Sequence, residues 1–255
     1  MEHNEIKHVN KFISDYATEL LASGATAARI EKNVERIADS FGASVEITIL
    51  PNHIIITTTD KETEHSYSSV AKIRHHAISF YRNTELSQLS WQINEGVLRF
   101  DEARERYEKI ISKGENNPWL VMLLVGFANA SFCRLFGGDP WAMLVVLIAT
   151  WIGYCVKIKL LQHHWDTRMV FIISAFCATV VGSSCYVYHL GNTPELAVGT
   201  SVLFLVPGIP FINSISDLIY GHNICFLSRL IQASVLTICL SIGLCLGLMV
   251  MNINV

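Results

Sequence analysis

The second part of this 255-residue chain is nearly without charge: residues 119–255 hold five Lys/Arg and four Asp/Glu, whereas residues 1–118 hold 14 and 18. A water-exposed domain of that length needs far more charge, so the division predicts a soluble domain followed by a membrane domain. A net charge of −3 provides no basic surface for phosphates, which excludes nucleic acid as a partner. The seven cysteines (133, 155, 177, 185, 225, 239 and 245) form no CxxC pair, so neither a disulfide framework nor a zinc site is expected. They are read as small apolar packing residues. There is no P-loop, hence no expectation of ATP hydrolysis. Paired catalytic carboxylates, a Ser/His arrangement at usable spacing and a metal cluster are all missing, so neither an enzyme nor a cofactor is expected. The opening MEHNEIKHVNKF has no apolar core of a secretory signal and is not read as one.

What is present in residues 1–117 is a small α+β pattern. Ile6, Val9, Ile13, Tyr16, Ala17 and Leu20 recur at three- and four-residue steps, predicting a helix that Gly24 stops. Ala27, Ile30, Val34, Ile37 and Phe41 predict a second, ended by Gly42. The period then falls to two: Val45, Ile47 and Ile49 alternate with polar residues, Pro51-Asn52 turns the chain, and His53–Thr59 returns. A third strand is expected around Glu64–Ile73. Asn83 or Thr84, and then Asp101, are expected to cap two further helices. His75-His76 point about 100° apart on a helix and are not read as a chelating pair. Glu31 and Glu35, with Lys32 and Arg36 beside them, read as a solvated face.

Residues 118–255 predict an all-α polytopic domain of five transmembrane helices: Trp119–Phe136, Trp141–Leu161, Met169–Leu190, Leu196–Tyr220 and Leu230–Met251. Two are interrupted by Gly/Pro breaks. Gly137-Gly138-Asp139-Pro140 joins the first pair, and Pro207, Gly208 and Pro210 break the fourth segment. With the soluble domain in the cytoplasm, Lys157, Lys159, Arg168 and Arg229 fall inside and the C-terminus outside; the 3–4 loop, HLGNTPE, carries no Lys or Arg. Arg134 is the exception to that bias.

Polar residues at membrane depth are costly and mark function. They fall into two clusters here. Asn129, Ser131, Arg134 and Asp139 accompany the GGDP break; Asn213, Ser216 and Asp217 share a helix face after the PGIP break, followed by His222 and Asn223. Broken helices are tolerated where freed backbone lines a cavity, and half-helix ends supply N–H groups to a carboxylate. The candidate substrate-binding or proton-coupling residues are therefore Asn129, Arg134, Asp139, Asn213, Ser216 and Asp217. His222 is a weaker proton-relay candidate, and His163-His164 read as solvated. The competing account is an Arg134–Asp139 salt bridge and an Asp217 cap that only tolerate the breaks.

GFANASFCRLFGGDP (126–140) and VPGIPFINSISDLIYG (206–221), with LLASGATAARIEKNVERIADSFG (20–42) and FDEARERYEKI (100–110), resemble the threonine/serine exporter family, in particular its YjjP-type component. The run from Pro207 to Asp217 is the most specific piece. The resemblance implies secondary export of small amino acids across the bacterial cytoplasmic membrane, driven by the proton motive force, with dicarboxylates such as succinate as the alternative cargo. It also implies ten helices in two five-helix halves. Since this chain stops after one half, a separate five-helix partner is expected, an inverted repeat with the site at its interface; homo-oligomerisation is the other route. Arg134 and Arg229 are the available cations of the membrane domain, which favours a zwitterion over a dicarboxylate. A membrane-anchored scaffold or sensor is the competing class.

Overall fold

A computed structural model of the chain describes residues 3–73, 78–114 and 117–253; His75-His76 lie outside the described residues. The described chain is mostly helical, with one small sheet near its start. Among the described residues eleven α-helices, α1 His3–Ala22, α2 Ala27–Ser40, α3 Phe80–Asn94, α4 Phe100–Ser112, α5 Pro118–Leu135, α6 Pro140–Gln162, α7 Thr167–Gly182, α8 Ser184–Val187, α9 Pro194–Ser201, α10 Gly208–Ile219 and α11 Asn223–Val250, accompany three strands, β1 Ala43–Ile49, β2 His53–Asp60 and β3 Ser66–Lys72. They divide into two compact units. The first holds the described residues up to Gly114 together with Ile209–Ile231; the second holds the described residues from there to Gly208 and those from Gln232.

In the first unit β2 is central and antiparallel to both neighbours, with Ile47 opposite Ile56 and Thr57 opposite Ser68. Alternation along β2 buries Ile54, Ile56 and Thr58 on one face. That face meets the apolar stripes of α1 and α2, where Ile6, Ile13, Leu20, Ile30 and Ile37 are fully buried. Asn10, also fully buried, ties α1 to the sheet. Its amide donates to the Ile56 carbonyl (3.2 Å), the Thr58 hydroxyl (3.0 Å) and the Tyr67 carbonyl (3.0 Å), and its Oδ1 accepts from Ser69 (2.6 Å). Tyr16 donates to the Leu86 carbonyl (2.8 Å) and accepts from Asn33 (3.0 Å), and burial pushes its hydroxyl well above the ordinary phenol range.

Two helix starts differ from the sequence expectation. α3 begins at Phe80 with Ser79 as its cap, accepting from the Arg82 amide at 3.3 Å. Asn83 is instead buried and accepts from Arg29 at 2.8 Å. α4 begins at Phe100, where the Glu102 carboxylate takes the Arg99 amide at 2.8 Å in place of an Asp101 cap. In the first case a residue further back, and in the second a residue further along, takes an exposed amide.

Among the described residues four helical stretches are long and apolar enough to cross a membrane: Pro118–Leu135, Pro140–Gln162, Thr167–Val187 and Asn223–Val250. A fifth is reached if Pro194–Leu205 and Gly208–Ile219, bent by 61° at the break between them, count as one span. Pro207 precedes the new helix and Pro210 lies in its first turn, where a missing amide costs nothing. α11 starts at Asn223 rather than near Leu230, since Gly221 (φ 83°) closes α10 and only a short turn remains. In the second unit the helices approach closely over glycines: a Cβ on Gly182 would stand 2.8 Å from Ser201, and one on Gly153 would stand 2.7 Å from the Phe204 ring.

Asn10→Ala removes every one of these side-chain bonds while leaving the buried carbonyls behind. It is expected to lower the stability of the first unit by about 2–3 kcal/mol. Denaturant midpoints read by hydrogen exchange in the β2–β3 peptides measure this; an unchanged midpoint would mean that Asn10 does not hold α1 to the sheet.

Candidate functional site

The two candidate clusters fall in different units. In the second unit, Asn129 on α5 is buried, donating to the Thr150 hydroxyl of α6 (2.7 Å) and the Thr200 carbonyl of α9 (3.0 Å). It forms the polar floor of a cleft of about 320 Å³, walled by Val125, Phe132, Phe136, Leu203 and Phe204. Leu203 and Phe204 belong to a 3₁₀ turn over Leu203–Leu205, just before the break. The cleft thus joins an amide to a wall of interrupted helix. Thr200 Oγ1 returns to its own helix at the Leu196 carbonyl.

Asp139 is the cap of α6. Its carboxylate accepts the Ala142 amide (2.7 Å) and the Asn192 amide (2.5 Å), and its own amide donates to Thr193 (3.0 Å). Those backbone donors, Ala142 first, hold its carboxyl below the usual carboxylate range. Arg134 donates to the Gly138 carbonyl (3.2 Å) at the end of α5, so in place of the Arg134–Asp139 bridge of the competing account there are two separate backbone attachments. Ser131 is exposed and bonds within its own helix to the Phe127 carbonyl.

α7 and its C-cap carry three hydroxyls, those of Ser174, Thr179 and Ser183, that are fully buried with no hydrogen-bond partner among the described residues. Lys157, near the end of α6, lies over the rings of Tyr154 (5.7 Å) and Phe171 (5.6 Å).

In the first unit the residues after the PGIP break meet the turn between α1 and α2. Asn213 donates to the Gly24 carbonyl at 2.8 Å. Asp217, with no exposed surface, accepts the Ala27 amide at 2.9 Å and lies 3.0 Å from Arg229 of α11. Arg229 also donates to the Ala25 carbonyl at 2.8 Å. His222 Nε2 stands 3.3 Å from Glu31, and Lys32 lies 5.4 Å from the centre of the Tyr220 ring. The α2 face read as solvated is therefore partly occupied. Ser216 is half-buried beside these groups. Sequence reasoning did not pair Arg229 with Asp217, and it missed Glu31 and the Gly24–Ala27 backbone, whose contacts with this segment span 189 to 204 residues of chain.

All seven cysteines are free thiols, four of them buried. No group of three or more His, Cys, Asp or Glu able to hold a metal occurs among the described residues. A three-stranded α+β unit, four or five apolar helical stretches and a Pro/Gly break flanked by buried polar residues give the chain the make-up of a polytopic membrane protein.

The chain belongs to the ThrE family, described as "Putative threonine/serine exporter", which matches residues 11–251. It is 29% identical to the "Probable succinate transporter subunit YjjP" of Escherichia coli, over 92% of this chain and 91% of that protein. The protein of the same name from Klebsiella aerogenes is 30% identical over 97% and 95%. A "Probable threonine/serine exporter" of Mycobacterium tuberculosis is 25% identical over 90% of this chain but only 44% of its own length. No solved structure matches the chain.

Two predictions follow from these geometries. Asp217→Asn strands the Arg229 charge in a buried site and is expected to destabilise the first unit by about 3–5 kcal/mol, whereas the double variant Asp217→Asn/Arg229→Gln recovers most of that loss. Thermal melts of the full chain in detergent measure both; equal stabilities for the single and double variants would show that the pair is uncoupled. At the other cluster, Asp139 ionises more readily folded than unfolded. Its stabilisation is present above the unfolded value of about 4 and is lost as pH falls through the lower folded value. Asp139→Ala is expected to flatten that acid-side decline; an unaltered pH profile of the melting temperature would contradict it.

Proposed function

We propose that the chain is one subunit of a secondary exporter of small carboxylates in the bacterial cytoplasmic membrane. The observation that carries this is the family match over residues 11–251, supported by the polar break inside an apolar stretch. Relatives of the same length are named transporter subunits, which supports a separate membrane partner, proposed to be a small five-helix chain forming an inverted repeat with this one. The distribution of Lys and Arg supports a cytoplasmic N-terminal unit and an external C-terminus.

For cargo we favour a small dicarboxylate, following the two relatives that match over nearly their full length. The second reading, a small amino acid of the threonine/serine type, is favoured by the scarcity of free cations. Arg229 is occupied by Asp217 and the Ala25 carbonyl, and Arg134 by the Gly138 carbonyl. In either reading Asn129 supplies the polar contact in the apolar cleft, with Arg134 and Asp139 fixing the turn at its end. Asp217 is the proposed coupling carboxylate, with Asn213 and Ser216 on the same helix face. Coupling to protons follows from a buried acid whose charge is balanced by one arginine, since neutralising either member changes what the other must do.

Efflux from cells preloaded with labelled succinate, threonine or serine, expressing this chain with and without its five-helix partner, tests the reading. Export of one cargo only when both chains are present is the expected result. No efflux of any of the three, with both proteins inserted, would move the assignment to a membrane-anchored scaffold or sensor. Asp217→Asn/Arg229→Gln, folded by the double replacement, is expected to export at least tenfold more slowly than wild type. A wild-type rate would remove Asp217 from the mechanism.

A further inference from the structure

We infer that the turn between α1 and α2 is a seat for the helix that follows the break, and that Asn213, Asp217 and Arg229 are positioning residues which lock α10 and the start of α11 onto it. The seat consists of backbone. Gly24 (φ 93°) ends α1, and the chain then turns through Ala25 and Thr26 into α2. Thr26 is the cap residue of α2, yet its side chain makes no capping bond. The first amide of α2, Ala27 N–H, has no acceptor within its own helix and is taken by the Asp217 carboxylate, 190 residues along the chain. An aspartate at a helix N-terminus is favoured both by the hydrogen bond and by the helix dipole. The carbonyls of the same turn are used from the other side, Gly24 by Asn213 and Ala25 by Arg229. Three backbone groups of one turn thus find their partners in a single 17-residue segment, residues 213–229.

The rest of the segment fits the same arrangement. The groups facing Asp217 are the α2 terminus and, from α11, Arg229 and Cys225, while Glu31 of α2 stands against His222 on the connecting turn. Cys225 is buried in the core of this unit, its thiol 3.4 Å from the Ile49 carbonyl at the end of β1. The opposite face of α10 is apolar and open: Ile212 is 70% exposed and Ile219 75%, with Ile215 between them also exposed. Hydrophobic burial on that face therefore does not fix α10 to the unit; the polar face does. Because the seat is backbone, it keeps its shape whatever side chains surround it, and specificity resides in the three residues of the segment. The consequence for transport rests on the proposed function: the N-terminal unit would set the position of the second half of the broken span.

Hydrogen exchange resolved to single amides tests the seat on the purified full chain in detergent. In wild type the Ala27 amide is expected to be protected. In Arg229→Gln and in Asn213→Ala its exchange is expected to rise at least tenfold, while amides of β2 are unchanged. Arg229→Lys, which retains the charge opposite Asp217 but not the guanidinium bond to the Ala25 carbonyl, is expected to restore part of the protection. Unchanged exchange at Ala27 in both variants overturns the seat. In cells with the five-helix partner, efflux is expected to fall in Arg229→Gln and to recover partly in Arg229→Lys. Normal efflux despite lost protection overturns the positioning role while leaving the contact intact. If wild type exports none of the three cargoes, the transport reading fails and the exchange data alone decide the seat.

Discussion

The need to satisfy polar groups at a helix break governs the most informative part of this structure. A helix interrupted by Pro207 leaves amides and carbonyls that an apolar setting cannot solvate, and the residues that follow bring an amide and a carboxylate as well. Asp217 meets the largest of these demands by working in two directions. It balances Arg229 and closes the first turn of α2. An ion pair with one member wholly buried is costly to desolvate and is retained where extra hydrogen bonds complete it; here Ala27 N–H and the Ala25 carbonyl supply them.

The same accounting at the other break gives a different answer. Asp139 gathers backbone amides from its own first turn and from residue 192, so the carboxylate serves the loop and the cap of α6. Asn129, one of the residues grouped with it by sequence, turns to Thr150 and Thr200 and opens on an apolar cleft. Membership of the family gives these arrangements a transport context, and relatives called subunits give them an incomplete one.

Much of the fold could be read along the chain. The three- and four-residue steps of Ile6 to Leu20 and of Ala27 to Ile37, the alternation of Ile54, Ile56 and Thr58, and the glycine stops are local features with local causes. The apolar segments and the position of the break were legible for the same reason. Caps were less so: Ser79 and Glu102 displaced the expected residues because several polar side chains near a helix start compete for the same amides. The burial of the Ser174 and Thr179 hydroxyls was not legible, because serine and threonine in an apolar helix look alike whether they face lipid or a packed interior.

The sequence by itself determined the division between a charged α+β part and an apolar helical part, the break at Pro207, and the small set of polar residues that had to find partners near it. Those depend on composition, periodicity and the missing amide of proline, all properties of neighbours in the chain. Only the tertiary structure decided which partners they found. That Asp217 caps α2, that Arg229 joins it, and that Asn213 holds the Gly24 carbonyl are contacts across 189 to 204 residues or between two separated helices. Their identity follows from how apolar faces pack the chain, because burial selects which backbone groups are left open, and an open amide takes whichever carboxylate the packing brings within reach.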